Sequence, residues 1–182
     1  MGNSPVARWL RAVSPALIWL LLRHAGKGLP PAVGICLEAA LAAAAWWLFR
    51  REKGKTGFRL EGKAGLLFLG IGMLWGLAGR LCFGKPAGQE NSLAAFFRLC
   101  ILGPAAEEIL YRGLVEGRLR RLLPENGAAA VSALLFAAAH DTPARMACAL
   151  AAGILFSVAF RKTGSLAVPV LMHMVINMAA FC

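Results

Sequence analysis

Long apolar runs separated by short basic stretches set the pattern of this chain. Residues 5–23 place Trp9, Arg11, Ile18, Trp19 and Arg23 around a short apolar core, Val13 to Leu22. That core falls short of the roughly 20 residues a spanning helix needs, so it reads as an interfacial helix or a short first span. Pro30-Pro31 stands where the cleavage site of a secretory leader would be expected, which speaks against a leader. Clear apolar runs follow at about 32–49, 64–83, 92 onward, 128–140, 144–160 and 165–182. The first of these closes on Trp46-Trp47, a membrane-interface pair. In the second, Gly72 and Gly76 share a face and permit close helix packing. Pro104 predicts a kink in the third. The pattern predicts an all-α, multi-pass transmembrane bundle of about six spans plus the N-terminal element. It forms a single membrane domain over 1–182, with N-terminal helices in 1–91 and a distinct C-terminal half in 92–182.

Composition supports this class. The chain is 59% hydrophobic with mean hydropathy +0.64, and only 16% of its residues are charged, against about 25% in a soluble domain. The net charge of +11 raises nucleic acid as a partner. The basic residues, however, cluster at the ends of apolar runs without interleaved aromatics, so they read as anchors at anionic lipid and not as a stacking platform. The five cysteines, Cys36, Cys82, Cys100, Cys148 and Cys182, show no metal-type spacing and lie mostly in apolar runs, as small core residues do. The basic stretches also orient the chain. Loops 50–63, 117–126 and 161–164 hold eleven Lys and Arg, and loops 84–91 and 141–145 hold two. The first set is therefore expected in the cytoplasm of a cell-membrane protein.

Against this apolar background, Glu107 and Glu108 are adjacent acids inside a span. A carboxylate in hydrocarbon costs several kcal/mol, so an intramembrane acid points to function. Glu108 and Arg112 are four residues apart and share a helix face, so they can pair. Glu107 points about 100° away and has Tyr111, not a cation, one turn on. It is expected to be free for chemistry. His140 closes the fourth run, four residues after Phe136, while His173 and Asn177 share a face of the last run. At 1.5 Å per residue, Glu107, His140, His173 and Asn177 lie roughly 13–19 Å from the cytoplasmic end of their spans. Glu38, alone in the first clear run, is expected to be paired or near the headgroups.

Each of these residues also has a structural reading. A lone intramembrane histidine is commonly a hydrogen-bonded packing residue, and Asn177 alone is commonly interhelical glue. Together they make a chemical set. A carboxylate and an imidazole around one water form a general base, and an imidazole with a carboxamide can donate to a developing oxyanion. That outfit suits amide hydrolysis. No metal is expected, because the H-E-x-x-H spacing of a zinc peptidase is absent, and no other cofactor is implied. A non-catalytic membrane scaffold and a proton-coupled transporter remain alternatives; the transporter would carry inverted repeats.

The residues resemble the CPBP family, the CAAX-protease and bacteriocin-processing membrane proteins also called Abi. The resemblance rests on Glu107-Glu108-Ile109-Leu110-Tyr111-Arg112, on Phe136-Ala137-Ala138-Ala139-His140, and on His173-Met174-Val175-Ile176-Asn177. The approach through Thr163-Gly164-Ser165-Leu166 to Pro169 is also similar. It covers about residues 92–182 and implies a catalytic core there, in a glutamate-type intramembrane protease without a catalytic metal. By that resemblance Glu107 and His140 activate water, His173 and Asn177 form the oxyanion hole, and Glu108, Arg112 and Phe136 support the site. The implied partner is a peptide or protein substrate in the membrane. CAAX-like tails, bacteriocin leaders and C-terminal sorting signals are the classes the family suggests; some relatives are linked to immunity functions.

Overall fold

In the computed structural model of the chain, residues 4–25, 31–53, 62–84 and 92–182 are described, and their regular elements are helices. These are α1 (Pro5–Ala25), α2 (Pro31–Lys53), α3 (Gly62–Phe83), a long broken helix α4 over 93–119, α5 (Glu125–Ala137), α6 (Pro143–Thr163) and α7 (Ala167–Phe181). Helix α6 shows how the sequence sets their ends. The Thr142 hydroxyl accepts from the Arg145 N–H, Pro143 opens the first turn, and Gly164 at φ 64° closes the last. Each satisfies or removes a backbone group the helix terminus would otherwise orphan.

Four helices are long and apolar enough to cross a membrane: Pro5–Ala25, Ala32–Glu52, Gly62–Cys82 and Pro143–Thr163. The expected count of about six is not reached by that measure. Stretch 93–119 carries Glu107, Glu108, Arg112 and Glu116, while α5 has 13 residues and α7 has 15. The N-terminal element is a 21-residue helix, long enough by length and composition to cross a membrane, with the apolar core Val13 to Leu22 inside it. The run expected to carry His140 within a helix is also shorter than the apolar pattern. Helix α5 ends at Ala137, and His140 sits in the turn beyond it.

The kink expected at Pro104 takes the form of π-helical turns. Arg98–Leu102 and Ile109–Glu116 are π-helical, with α-helical Gly103–Glu108 between them. Pro104 has no N–H to donate. The Gly103 N–H bonds back to the Arg98 carbonyl, five residues away, so the next carbonyl in that series, Leu99, has lost its backbone donor. The Asn177 side chain supplies one, Nδ2 to the Leu99 oxygen at 2.8 Å. A π-helical insertion at a functional stretch is a recurring association.

The described parts of the basic stretches gather at one end of the bundle. Arg118, at the end of α4, pairs with Glu52, at the end of α2, at 2.6 Å and donates to the Arg11 carbonyl of α1 at 2.6 Å. Arg161, at the end of α6, donates to Asn126 at the start of α5 at 2.8 Å. Residues 54–61 and 85–91 lie outside the described residues, and so does most of what was expected of the loops 50–63 and 84–91. Deeper in the bundle, Glu38 is paired with Arg98 at 2.8 Å.

Helices α3 and α7 pack through the small-residue face expected of Gly72 and Gly76. A Cβ on Gly72 would lie 3.3 Å from the Met172 carbonyl, and one on Gly76 would lie 2.8 Å from the Ala179 Cβ. Gly79 has nothing within 4 Å. Gly76→Val is therefore expected to overpack this seam and cost about 1–3 kcal/mol. Gly79→Ala should leave stability unchanged. Thermal unfolding of the two variants in the same detergent checks the contrast.

Candidate active site

Helix α4 presents its two acids to different partners. Glu108 is fully buried, and its Oε1 accepts from Arg112 Nη1 at 3.2 Å and from His173 Nδ1 at 3.0 Å. The pairing with Arg112 is the one the four-residue spacing predicts. Arg112, also fully buried, donates a second bond to the Gly153 carbonyl of α6 at 3.0 Å. Its guanidinium lies 4.6 Å from the Phe136 ring centroid and 5.2 Å from that of Phe156. A buried cation is thus met by a carboxylate, a carbonyl and two ring faces. Gly153 is required at this approach, since a Cβ there would sit 3.0 Å from Arg112 Nη2.

The expectation that Glu107 stands free of any cation is corrected by the structure. Arg23, in the last turn of α1, forms an ion pair with its Oε1. The two residues are 84 positions apart, so helical spacing within α4 could not reveal the contact. The only signal in the sequence is a cation at the end of an apolar run, with no acid near it on its own helix. On its other side, Glu107 Oε2 lies 3.9 Å from His173 Nε2. A buried carboxylate without a counter-charge would be costly, and α1, read as an interfacial helix or a short first span, supplies that charge.

His173 is held by two aromatic rings and a carboxylate. Its ring stacks on Phe156 at 5.1 Å and meets the edge of Phe136 at 5.6 Å. Donation from Nδ1 to Glu108 fixes the ring and leaves Nε2 toward Glu107. A carboxylate orienting an imidazole through one nitrogen is the logic of a catalytic triad. His140 lies across Phe136 from His173, with ring centroids 5.2 Å apart from Phe136. Its Nδ1 donates to the Phe136 carbonyl at 3.2 Å, which in the neutral ring leaves the lone pair on Nε2. Phe136 is therefore the spacer between the two imidazoles.

A cavity of about 610 Å³ opens beside this set, lined by His140, His173, Asn177, Phe136 and Phe156 among mostly apolar residues. Its volume is that of a small-molecule or short-peptide site. Glu107 is not in its wall. Among the described residues, no group of three or more His, Cys, Asp or Glu side chains gathers as a metal site would.

A family profile described as "Type II CAAX prenyl endopeptidase Rce1-like" matches residues 89–179, half of the 182-residue chain. The chain belongs to the Rce1-like family. The matched stretch runs from just before α4 to near the end of α7 and contains Glu107, Glu108, Arg112, Phe136, His140, His173 and Asn177. Arg23 lies outside it. A curated relative, "Membrane-embedded CAAX protease MroQ" of Staphylococcus aureus (strain USA300), is 34% identical over 87 residues, covering 44% of this chain and 35% of the relative. The chain thus matches about a third of that relative's length. No solved structure matches the chain.

The Rce1-like motifs found in the sequence account for the Glu108, Arg112 and His173 cluster. They do not account for the groups that complete it. Arg23, Phe156 and the carbonyls of Gly153 and Leu99 come from elements or backbone atoms that carry no motif. Tyr111 is buried with its hydroxyl unpartnered among the described residues. Glu116, also buried, is held by Ser157 at 2.7 Å and Arg120 at 2.6 Å and belongs to the packing below the site.

Proposed function

We propose that this chain is an intramembrane endopeptidase that hydrolyses a peptide bond of a membrane-associated peptide, with Glu107 and His140 activating the water. The observation that carries the reading is His173, held 3.0 Å from Glu108 and 3.9 Å from Glu107 at the wall of a cavity that His140 and Asn177 also line. The water's proton passes to the Glu107 carboxylate or to His140 Nε2, and its oxygen attacks the carbonyl carbon. Asn177 Nδ2 and His173 Nε2 donate to the oxyanion. His173 donates from both nitrogens only as the imidazolium. Collapse of the tetrahedral intermediate returns the proton to the leaving nitrogen. The substrate is a CAAX-like tail, a bacteriocin leader or a C-terminal sorting signal. The chain sits in the cell membrane as a multi-pass protein of about six spans, with the basic end cytoplasmic and residues 92–182 as its catalytic core.

Two contacts favour the alternative, a non-catalytic immunity or scaffold protein of the same fold. Glu107 is engaged by Arg23, and Asn177 is engaged by the Leu99 carbonyl. Co-expression with tagged membrane peptides of the three substrate classes separates the readings. The wild-type chain should shorten at least one, while Glu107→Gln and His140→Ala, at unchanged protein level, should shorten none. Processing that persists in both variants would rule out the mechanism.

A further inference from the structure

Two helices outside the matched stretch carry charges into the apolar bundle toward Glu107. Arg23, on α1, pairs with Glu107 Oε1. Glu38, on α2, also attracts Arg23. Arg98, on α4, closes the row, donating to Glu38 Oε1 from Nε at 3.0 Å and from Nη2 at 2.8 Å. The signs therefore alternate through Arg98, Glu38, Arg23 and Glu107, across three helices. Charged side chains among apolar helices are costly and mark functional sites by default. The hydrolysis as drawn uses only the last of these four. The row is also packed, since a Cβ on Gly34 would sit 3.3 Å from the Arg98 guanidinium carbon. Its two carboxylates are better buried than its two cations.

We propose that Arg23, braced by Glu38, is a positioning residue for the hydrolysis that holds the Glu107 carboxylate balanced and aimed, which makes α1 and α2 parts of the active site. This rests on the peptidase reading for the reaction, though not for the contact itself. Arg23 takes Oε1 and leaves Oε2 facing His173 Nε2, 3.9 Å away. A carboxylate anchored through one oxygen keeps the other turned to the imidazole. Glu107 needs a cation of its own, because Arg112 is committed to Glu108 and to the Gly153 carbonyl. A cation that merely blocked Glu107 would have to leave for turnover. Arg23 is instead attracted from a second side by Glu38, which Arg98 grips with two donors. A cation braced in this way belongs to the standing geometry of the site. Such positioning has a large effect, since a displacement of about 1 Å at a reacting group can cost about 10²-fold in rate.

Kinetics on a reporter peptide that the wild-type chain shortens test the role. Arg23→Gln should lower kcat about 10²-fold and leave KM within about twofold of wild type. Arg23→Lys keeps the charge but not the planar fork, and it should recover kcat to within about tenfold of wild type. Glu38→Gln loosens only the brace and should cost about fivefold, the scale of a partly exposed pair. An unchanged kcat in Arg23→Gln overturns the proposal, as does a raised one, which would mark Arg23 as a plug. Arg23→Lys no better than Arg23→Gln overturns it too. Unfolding in detergent reads the contact without turnover. Arg23→Gln should lower the midpoint of the wild-type chain by several degrees and hardly move that of the Glu107→Gln chain, where no carboxylate is left to balance. Equal shifts in the two backgrounds overturn the proposal whatever the kinetics. Coupled unfolding combined with a wild type that shortens no peptide would sink the peptidase reading and leave Arg23 standing as the residue that sets Glu107.

Discussion

Glu108→Ala is expected to destabilise the protein by about 3–5 kcal/mol, because it leaves a fully buried Arg112 without its counter-charge. The remaining partners, the Gly153 carbonyl and the faces of Phe136 and Phe156, solvate the guanidinium only in part. Removing both charges in Glu108→Leu/Arg112→Met should restore most of that stability, since similar-volume apolar pairs commonly replace buried ion pairs without loss. Hydrolysis should remain lost in the double variant. His173 Nδ1 then has no acceptor, and its ring is free to turn within the stack on Phe156. Chemical unfolding in detergent gives the stability comparison, and the reporter-peptide assay gives the activity. A double variant as unstable as Glu108→Ala would show that Glu108 acts through more than Arg112. A stable and active double variant would show that the Glu108–His173 bond is dispensable.

The same cluster shows what can be read from a sequence of this kind. The Glu108–Arg112 pair and the Gly72 and Gly76 face follow from helical spacing alone, because both partners or both small residues lie one turn apart. Composition announces the all-α membrane class, because sustained apolar runs with few charges leave a soluble fold little surface to present. The Arg23 contact with Glu107 lies beyond such reasoning. It joins two helices far apart in the chain, and nothing local to either residue selects the other. Helix α1 also hid its role through its short apolar core, since the last turn, where Arg23 sits, falls outside that core. The position of His140 was misjudged for a different reason. Alanine and phenylalanine continue the apolar pattern through Ala139, yet the backbone leaves the helix at Ala138, and hydropathy does not register that turn. The π-helical turns of α4 were likewise reduced to a kink, although the missing N–H of Pro104 announces that one carbonyl must find a donor elsewhere.

That donor makes Asn177 a residue with two roles to separate. One N–H of its carboxamide holds the Leu99 carbonyl, and the second is left for the cavity that the side chain lines. If the second N–H serves the oxyanion, Asn177→Ala lowers kcat about 10²–10³-fold with little change in KM. Asn177→Asp is worse, because it sets an anion against the developing charge. Loss of the first bond has a different signature, for it orphans a carbonyl and costs about 1–3 kcal/mol of stability. Pro104→Ala separates the two. It returns an N–H to the backbone five residues after Leu99, so the carbonyl regains a donor without Asn177. In the Pro104→Ala background, Asn177→Ala should therefore cost little stability while the fall in kcat persists. A double-mutant cycle on unfolding free energy, run beside steady-state kinetics on the same four proteins, reads both effects. Should the kinetic loss disappear together with the stability loss, Asn177 is a strut between α7 and α4, and the oxyanion must be met by His173 alone.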